Sequence, residues 1–153
     1  MNNGFIESRI STPIALPTNT SIISFENDIR TRSTQGCKGW LCHKEGSPVY
    51  KIVSAGYYDV SFSATLFSAT AGVVAVGLYE DGILIPSSVR AVTVGAGEFE
   101  SVSFDKVEKV CCKSNTNITV GSVPSVVTPG TGAIVETQVP TIYSAILNIT
   151  KLS

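Results

Sequence analysis

The chain has 153 residues, of which 43% are hydrophobic and only 15% charged, with a formal net charge of −1. That length fits a single domain with a substantial core, and charges scattered without a basic run exclude the phosphate backbone of a nucleic acid as its partner. A charged fraction well below the roughly 25% usual for soluble domains implies that another chain covers part of the surface.

The start, Met1-Asn2-Asn3-Gly4, lacks the basic flank and apolar stretch of a signal peptide, and the uncharged apolar run 71–79 is too short to cross a bilayer. The expected protein is therefore neither exported by that route nor embedded in a membrane. Residues 1–35 are rich in Asn, Ser and Thr and contain Pro13 and Pro17, so they read as an arm with one or two edge strands built on Ile10, Ile14, Leu16, Ile22, Ile23 and Phe25. Residues 36–48 hold Trp40, the only tryptophan, and His43, the only histidine, in a polar, glycine-flanked turn. Both are expected at the surface.

A strand over 49–54 leads to the clearest pattern in the sequence, the alternation over 56–68. Tyr58, Val60, Phe62, Ala64 and Leu66 share one face, and Tyr57, Asp59, Ser61, Ser63 and Thr65 the other. Residues 72–80 follow with both faces apolar, which requires two covers; the simplest second cover is a neighbouring subunit, approaching closely over Ala75 and Gly77. Asp81-Gly82 then marks a two-residue type I′ hairpin.

The next strand runs through Ile83, breaks at Pro86 and resumes over 89–94. Residues 99–110 form a long strand whose apolar phase slips between Phe104 and Val107, as a bulge would cause. A short strand over 117–123, a loop or excursion hairpin over 124–140 and a closing strand over 142–152, with Tyr143, Ala145, Leu147 and Ile149 on one side, complete the chain. No segment carries a helical period. The fold class is all-β, an antiparallel sandwich of about ten strands.

Gly56-Tyr57-Tyr58-Asp59-Val60-Ser61-Phe62, the run from Val76 to Pro86, and the closing run from Ala145 to Lys151 resemble the C1q/tumour-necrosis-factor jelly roll over residues 36–153. The resemblance is to its bacterial and phage branch: the C-terminal domains of collagen-like exosporium glycoproteins and small virion proteins. It implies a compact homotrimer with one sheet of each subunit packed around a threefold axis, although no Gly-X-Y stalk precedes the domain.

The expected interface residues are Val73, Ala75, Gly77 and Tyr79, with Ile142 and Ile146. Residues 1–35 would serve as the anchor through Arg9, Ile10 and Ile14. The expected function is that of a non-enzymatic capsid decoration or head-fibre protein on the virion surface, made in the host cytoplasm and partnered by a major capsid protein. The alternative is an adhesion module that binds host-surface glycans through Trp40, His43 and residues 124–140.

No cofactor is expected. His43 has Cys42 beside it in sequence and so badly placed as a catalytic partner, and Glu80-Asp81 is explained by the turn. For Cys37, Cys42, Cys111 and Cys112, free or buried thiols are the default without a secretion signal. A disulfide from the Cys37/Cys42 loop to the Cys111/Cys112 region is the alternative, while the spacings are not those of a standard zinc site. The sequons at Asn19, Asn117 and Asn148 are chance matches on a chain without a secretory start.

Overall fold

The computed structural model describes residues 4–30, 39–111 and 115–152. Two six-stranded antiparallel sheets face each other. Sheet I has the strand order β10 (Phe99–Val110), β6 (Gly56–Phe67), β14 (Thr141–Lys151), β1 (Phe5–Ile10), β3 (Asn27–Arg30), with β2 (Ile14–Ala15) also paired to β14. Sheet II has the order β4 (Leu41–Cys42), β5 (Tyr50–Ile52), β11 (Thr116–Ser122), β7 (Gly72–Glu80), β8 (Ile83–Leu84), with β9 (Arg90–Val94) on β7. A separate hairpin joins β12 (Ser125–Val127) to β13 (Ile134–Glu136).

The alternation in β6 sets the core. Tyr58, Val60, Phe62, Ala64 and Leu66 are all buried, and so are Leu147 and Ile149 on neighbouring β14 and Val102 and Phe104 on β10. Phe62 meets Phe25 edge-on at 6.2 Å and Phe104 at 5.4 Å, in the offset geometries that ring quadrupoles favour. Val74, Val76 and Leu78 of β7 supply the opposing layer. The Asp81-Gly82 turn forms as expected: both residues have positive φ, 51° and 80°, as a type I′ turn requires.

Within residues 4–30 the chain contributes strands to the sandwich. β1 lies between β14 and β3, and its Ile6 and Ile10 are buried. Residues 16–25 then cross to sheet II, where Ile23 donates its N–H to Val120 O and Ser122 donates to Ser21 O.

The expected phase change is relocated. β10 pairs with β6 without a register shift from Phe99 to Val110, so no bulge separates Phe104 from Val107. Instead, Val107 points to the outer face, and Lys106 and Glu108 take the inward positions near the sheet edge. The irregularity lies in β14, between Ile142 and Ser144. It turns Tyr143 outward while Ile142, Ala145, Leu147 and Ile149 face the core.

The second face of β7 is covered by the chain itself. A Cβ placed on Gly77 would lie 2.8 Å from Leu84 Cδ1 and 3.1 Å from Val123 Cγ2. Ser88, in a 3₁₀ turn over Pro86–Ser88, accepts the Leu78 N–H at 2.8 Å and donates to Ile85 O at 2.6 Å. The line of β11 along β7 continues at Val123, whose N–H reaches Ala75 O, and resumes after the hairpin at Gln138, whose N–H reaches Val73 O. Thr137 fastens the hairpin base by donating to Val123 O at 2.6 Å.

At Gly121 an added Cβ would stand 2.9 Å from Ser21 O and 3.2 Å from Ile22 Cα, both backbone atoms. Gly121→Ala is expected to lower stability by about 1–3 kcal/mol, the usual cost of forcing a methyl into filled space, measured by denaturant unfolding.

Candidate functional site

With the outer side of β7 covered by its own chain, the outward face of sheet I is a broad open surface among the described residues. Strand alternation places Phe5 of β1, Ile29 of β3, Tyr57 of β6, Phe99 and Val107 of β10, and Tyr143 and Ile146 of β14 on this face, and all seven are exposed. Val107 is 56% and Ile29 49% exposed, unusual for aliphatic side chains in paired strands. Phe99 packs on Phe67 at 5.3 Å and edge-on to Tyr143 at 5.0 Å, making an aromatic cluster at one end.

The middle is built from small side chains. Ser63, Thr65, Ser101, Ser103 and Ser144 line a shallow depression of about 630 Å³, flanked by Arg9 and Ile146. The few charges on the face are paired locally. Arg9 Nε donates to Glu7 at 2.7 Å, and Lys109 lies 5.9 Å over the Tyr57 ring. Asp59 and Asp105, diagonal neighbours on β6 and β10, share a hydrogen bond; that bond, partial burial and the Asp105 charge raise Asp59 to about 6. An apolar rim, small residues at the centre and little net charge suit contact with another protein surface.

Of the expected interface residues, Ile146 lies on this face and is exposed. Ala75 and Gly77 are buried under Leu84, Val123 and the Ser88 turn, so they have no surface to offer a neighbouring subunit. Ile142 is fully buried in the core. Val73 is half-buried below the excursion hairpin, and half-buried Tyr79 donates its hydroxyl to Ser122 O at 2.9 Å. Among the anchor candidates, Ile10 is core, Ile14 packs partly against it, and Arg9 is open on sheet I. The face was missed because its residues are spread over five strands; the exposed side of the β6 alternation and the phase slip at Val107 were its sequence signals.

Trp40 and His43 are not surface residues. Trp40 is 4% exposed and packs on Tyr58 with ring centres 5.2 Å apart. His43 is buried in a polar cluster at the β3 edge. Its ring stacks on Tyr50 at 3.9 Å, Nδ1 lies 2.9 Å from Val49 O, and Nε2 lies 3.0 Å from Asp28 Oδ2. Ser8 donates to Asp28 Oδ1 at 2.6 Å, Arg30 donates to Asp28 Oδ2 and to His43 O at 2.9 Å each, and the Asp28 N–H reaches Glu45 Oε2 at 2.9 Å.

Serine, aspartate and histidine thus meet, but in the wrong order for nucleophilic catalysis. A working triad needs the imidazole between hydroxyl and carboxylate; here the carboxylate is in the middle and Ser8 is wholly buried. Among the described residues, no group of three His, Cys, Asp or Glu side chains is placed to hold a metal ion. Cys42 is disulfide-bonded, which corrects the default of a free thiol there and removes its sulfur from any zinc site. Cys111 is free and exposed, while Cys37 and Cys112 lie outside the described residues.

The two-sheet topology is similar to that of several solved structures. The globular domain of zebrafish complement 1qA matches with a TM-score of 0.59 and 8% identity, covering 97% of each chain. Murine APRIL matches at 0.62 and 12%, covering 97% of this chain and 98% of that one. The fold is the C1q/TNF jelly roll. Eiger TNF from S. frugiperda matches it as well, at 0.60 and 9%, covering 97% and 93%. No protein-family model matches the sequence, and no curated protein matches it. These three neighbours are animal proteins rather than members of a bacterial or phage branch, and proteins of this fold are typically oligomeric, often trimeric.

Burial acts to raise Asp28, but hydrogen bonds from His43 and Ser8 and the charges of His43 and Arg30 outweigh it and hold the carboxyl below its ordinary 3.8. A carboxylate depressed in the folded state stabilises the fold above its unfolded value, and that contribution is lost as pH falls through the folded value. Asp28→Asn is therefore expected to cost about 3 kcal/mol at neutral pH and to flatten the loss of stability below about pH 4, read from unfolding curves across the acid range.

Proposed function

We propose that this chain is a non-enzymatic structural protein that associates as a homotrimer through the outward face of sheet I, decorating a phage capsid or forming a short head fibre. The observation that carries the association is the concentration of exposed apolar side chains, among them Phe5, Ile29, Phe99, Val107, Tyr143 and Ile146, on one face of one sheet. Exposing such a patch costs solvation free energy that a partner's burial of it recovers, at roughly 25 cal/mol per Å². A copy of the same chain is the partner that matches it: the jelly-roll fold is often trimeric, and a closed ring repeats one heterologous interface in every copy.

The virion assignment is supported by the likeness of the Gly56-Tyr57-Tyr58 strand, the Asp81-Gly82 hairpin and the closing strand to the phage branch of this fold, and by the low charge of the chain. Its partner on the particle would be a major capsid protein. The adhesion reading retains one candidate region, the β12–β13 hairpin, where Val127 and Ile134 pair across the strands and are largely exposed. Saturable signal on a glycan array, lost on replacing residues 128–133 with a short turn, is the outcome that would favour it.

Combined Tyr143→Asp and Ile146→Asp substitutions are expected to turn a three-chain particle into a folded monomer in sedimentation velocity, with the unfolding midpoint of the isolated chain little changed. A wild-type protein that sediments as a monomer at micromolar concentration would remove this reading. Burial of the Asp59–Asp105 pair favours its shared proton, so association is expected to tighten as pH falls through about 6. Asp59→Asn should abolish that dependence.

A further inference from the structure

We propose that the slot between the β12–β13 hairpin and the outer side of sheet II is a binding site for an uncharged aliphatic molecule, a medium-length alcohol or ester, with the hairpin as its roof. The slot lies on sheet II, apart from the association face of sheet I. Its volume is about 650 Å³, within the range of small-molecule sites. Val73 of β7 and Ala91 and Thr93 of β9 form the floor, Leu84 and Pro86 close one side, and Val126 and Val135 of the hairpin lie above.

The chemistry of these walls selects the ligand. Among the described residues, no charged and no aromatic side chain borders the slot; its polar side chains are the exposed hydroxyls of Thr93, Ser125 and Thr128. The charges nearest in sequence face elsewhere. Arg90 stands in strand phase with buried Val94 rather than with Ala91 and Thr93, and its Nη1 donates to Val89 O at 2.9 Å and to Ser87 O at 3.3 Å. Glu136 follows Val135 on the other face of the hairpin and borders the cleft beside Asn19. A carboxylate or phosphate entering the slot would lose its water without gaining a counter-charge. An aliphatic chain gains by leaving water, and a single alcohol or ester oxygen meets hydroxyls that can bond to it.

The hairpin supplies the second observation. β12 and β13 pair with each other and with no other strand among the described residues, and a two-stranded hairpin is marginally stable in water without packing. It is fastened at its base, where Thr137 Oγ1 donates to Val123 O at 2.6 Å and Asn19 Nδ2 donates to Thr137 O at 3.0 Å. Beyond that base, the cross-strand pair Val126–Val135 borders the slot, yet both side chains are only half-buried, as is Val73 across from them. A chain lying between roof and floor completes the burial of both and couples the hairpin to the sheet.

The test is methyl NMR of the full valine-labelled chain at about pH 7, titrated with 1-octanol and, separately, with octanoate, which carries the same chain length on an ionised head. The expected result is saturable octanol shifts at the Val126 and Val135 methyls with a Kd below about 1 mM, no shift at Val107 on sheet I, and a rise in amide protection of the hairpin. Octanoate should bind at least about tenfold more weakly. Ala91→Trp, at an exposed floor position, should fill the slot and abolish the octanol shifts. The proposal is overturned by the absence of a saturable shift up to the solubility limit of octanol, by equal shifts at Val107, by equal binding of octanoate, or by octanol shifts that survive in folded A91W. If A91W does not fold, the two wild-type titrations decide.

Discussion

The double pairing of β6, with β10 on one side and β14 on the other, is the constraint on which the molecule depends. Each ladder is long and holds its register across the centre of the sheet, so the two-residue period of one strand is imposed on three. Tyr58, Val60, Phe62, Ala64 and Leu66 are thereby forced inward with Val102, Phe104, Leu147 and Ile149. The same registration fixes what points outward: serines and threonines at the centre, and Phe99, Val107, Tyr143 and Ile146 around them. Core and association face are two sides of one set of hydrogen bonds.

The two sheets differ in how their outer faces are treated. In sheet II the outer side of β7 is roofed by Leu84, the Ser88 turn, Val123 and the residues flanking the excursion hairpin, all from its own chain. Among the described residues sheet I has no such roof, and its exposed apolar side chains stand on the face of the sheet rather than along an edge. An apolar face that is not an edge associates by packing rather than by strand addition, and so can form a closed assembly.

Most of the fold was legible in the sequence because it depends on local rules. The period of β6, the bounds of β7 and the Asp81-Gly82 turn each rest on neighbours within a few residues. The location of the association surface was not legible in the same way. An apolar second face on β7 required a cover, but nothing local says whether Ala75 and Gly77 meet Leu84 and Val123 or another subunit. Val107 was read as a slipped core residue because an outward valine in a paired strand makes sense only once the face is seen whole. His43 sits in a polar, turn-like run, and the cluster around it draws Ser8, Asp28 and Tyr50 from three other strands. A buried polar cluster assembled at that range leaves no spacing to read. Trp40 was misplaced for a similar reason, since its burial depends on Tyr58, across the sandwich.

The central claim is that sheet I's outward face is covered in solution by copies of the chain while the rest of the surface stays open. Methyl NMR of isoleucine-labelled protein with a soluble paramagnetic agent tests this without any substitution. Among the exposed isoleucines, Ile29 and Ile146 report on sheet I, and Ile83 and Ile134 on the surface elsewhere. The account predicts that Ile29 and Ile146 are shielded from paramagnetic relaxation while Ile83 and Ile134 are strongly broadened. Equal broadening of all four, or shielding of Ile83 and Ile134 alone, would contradict it.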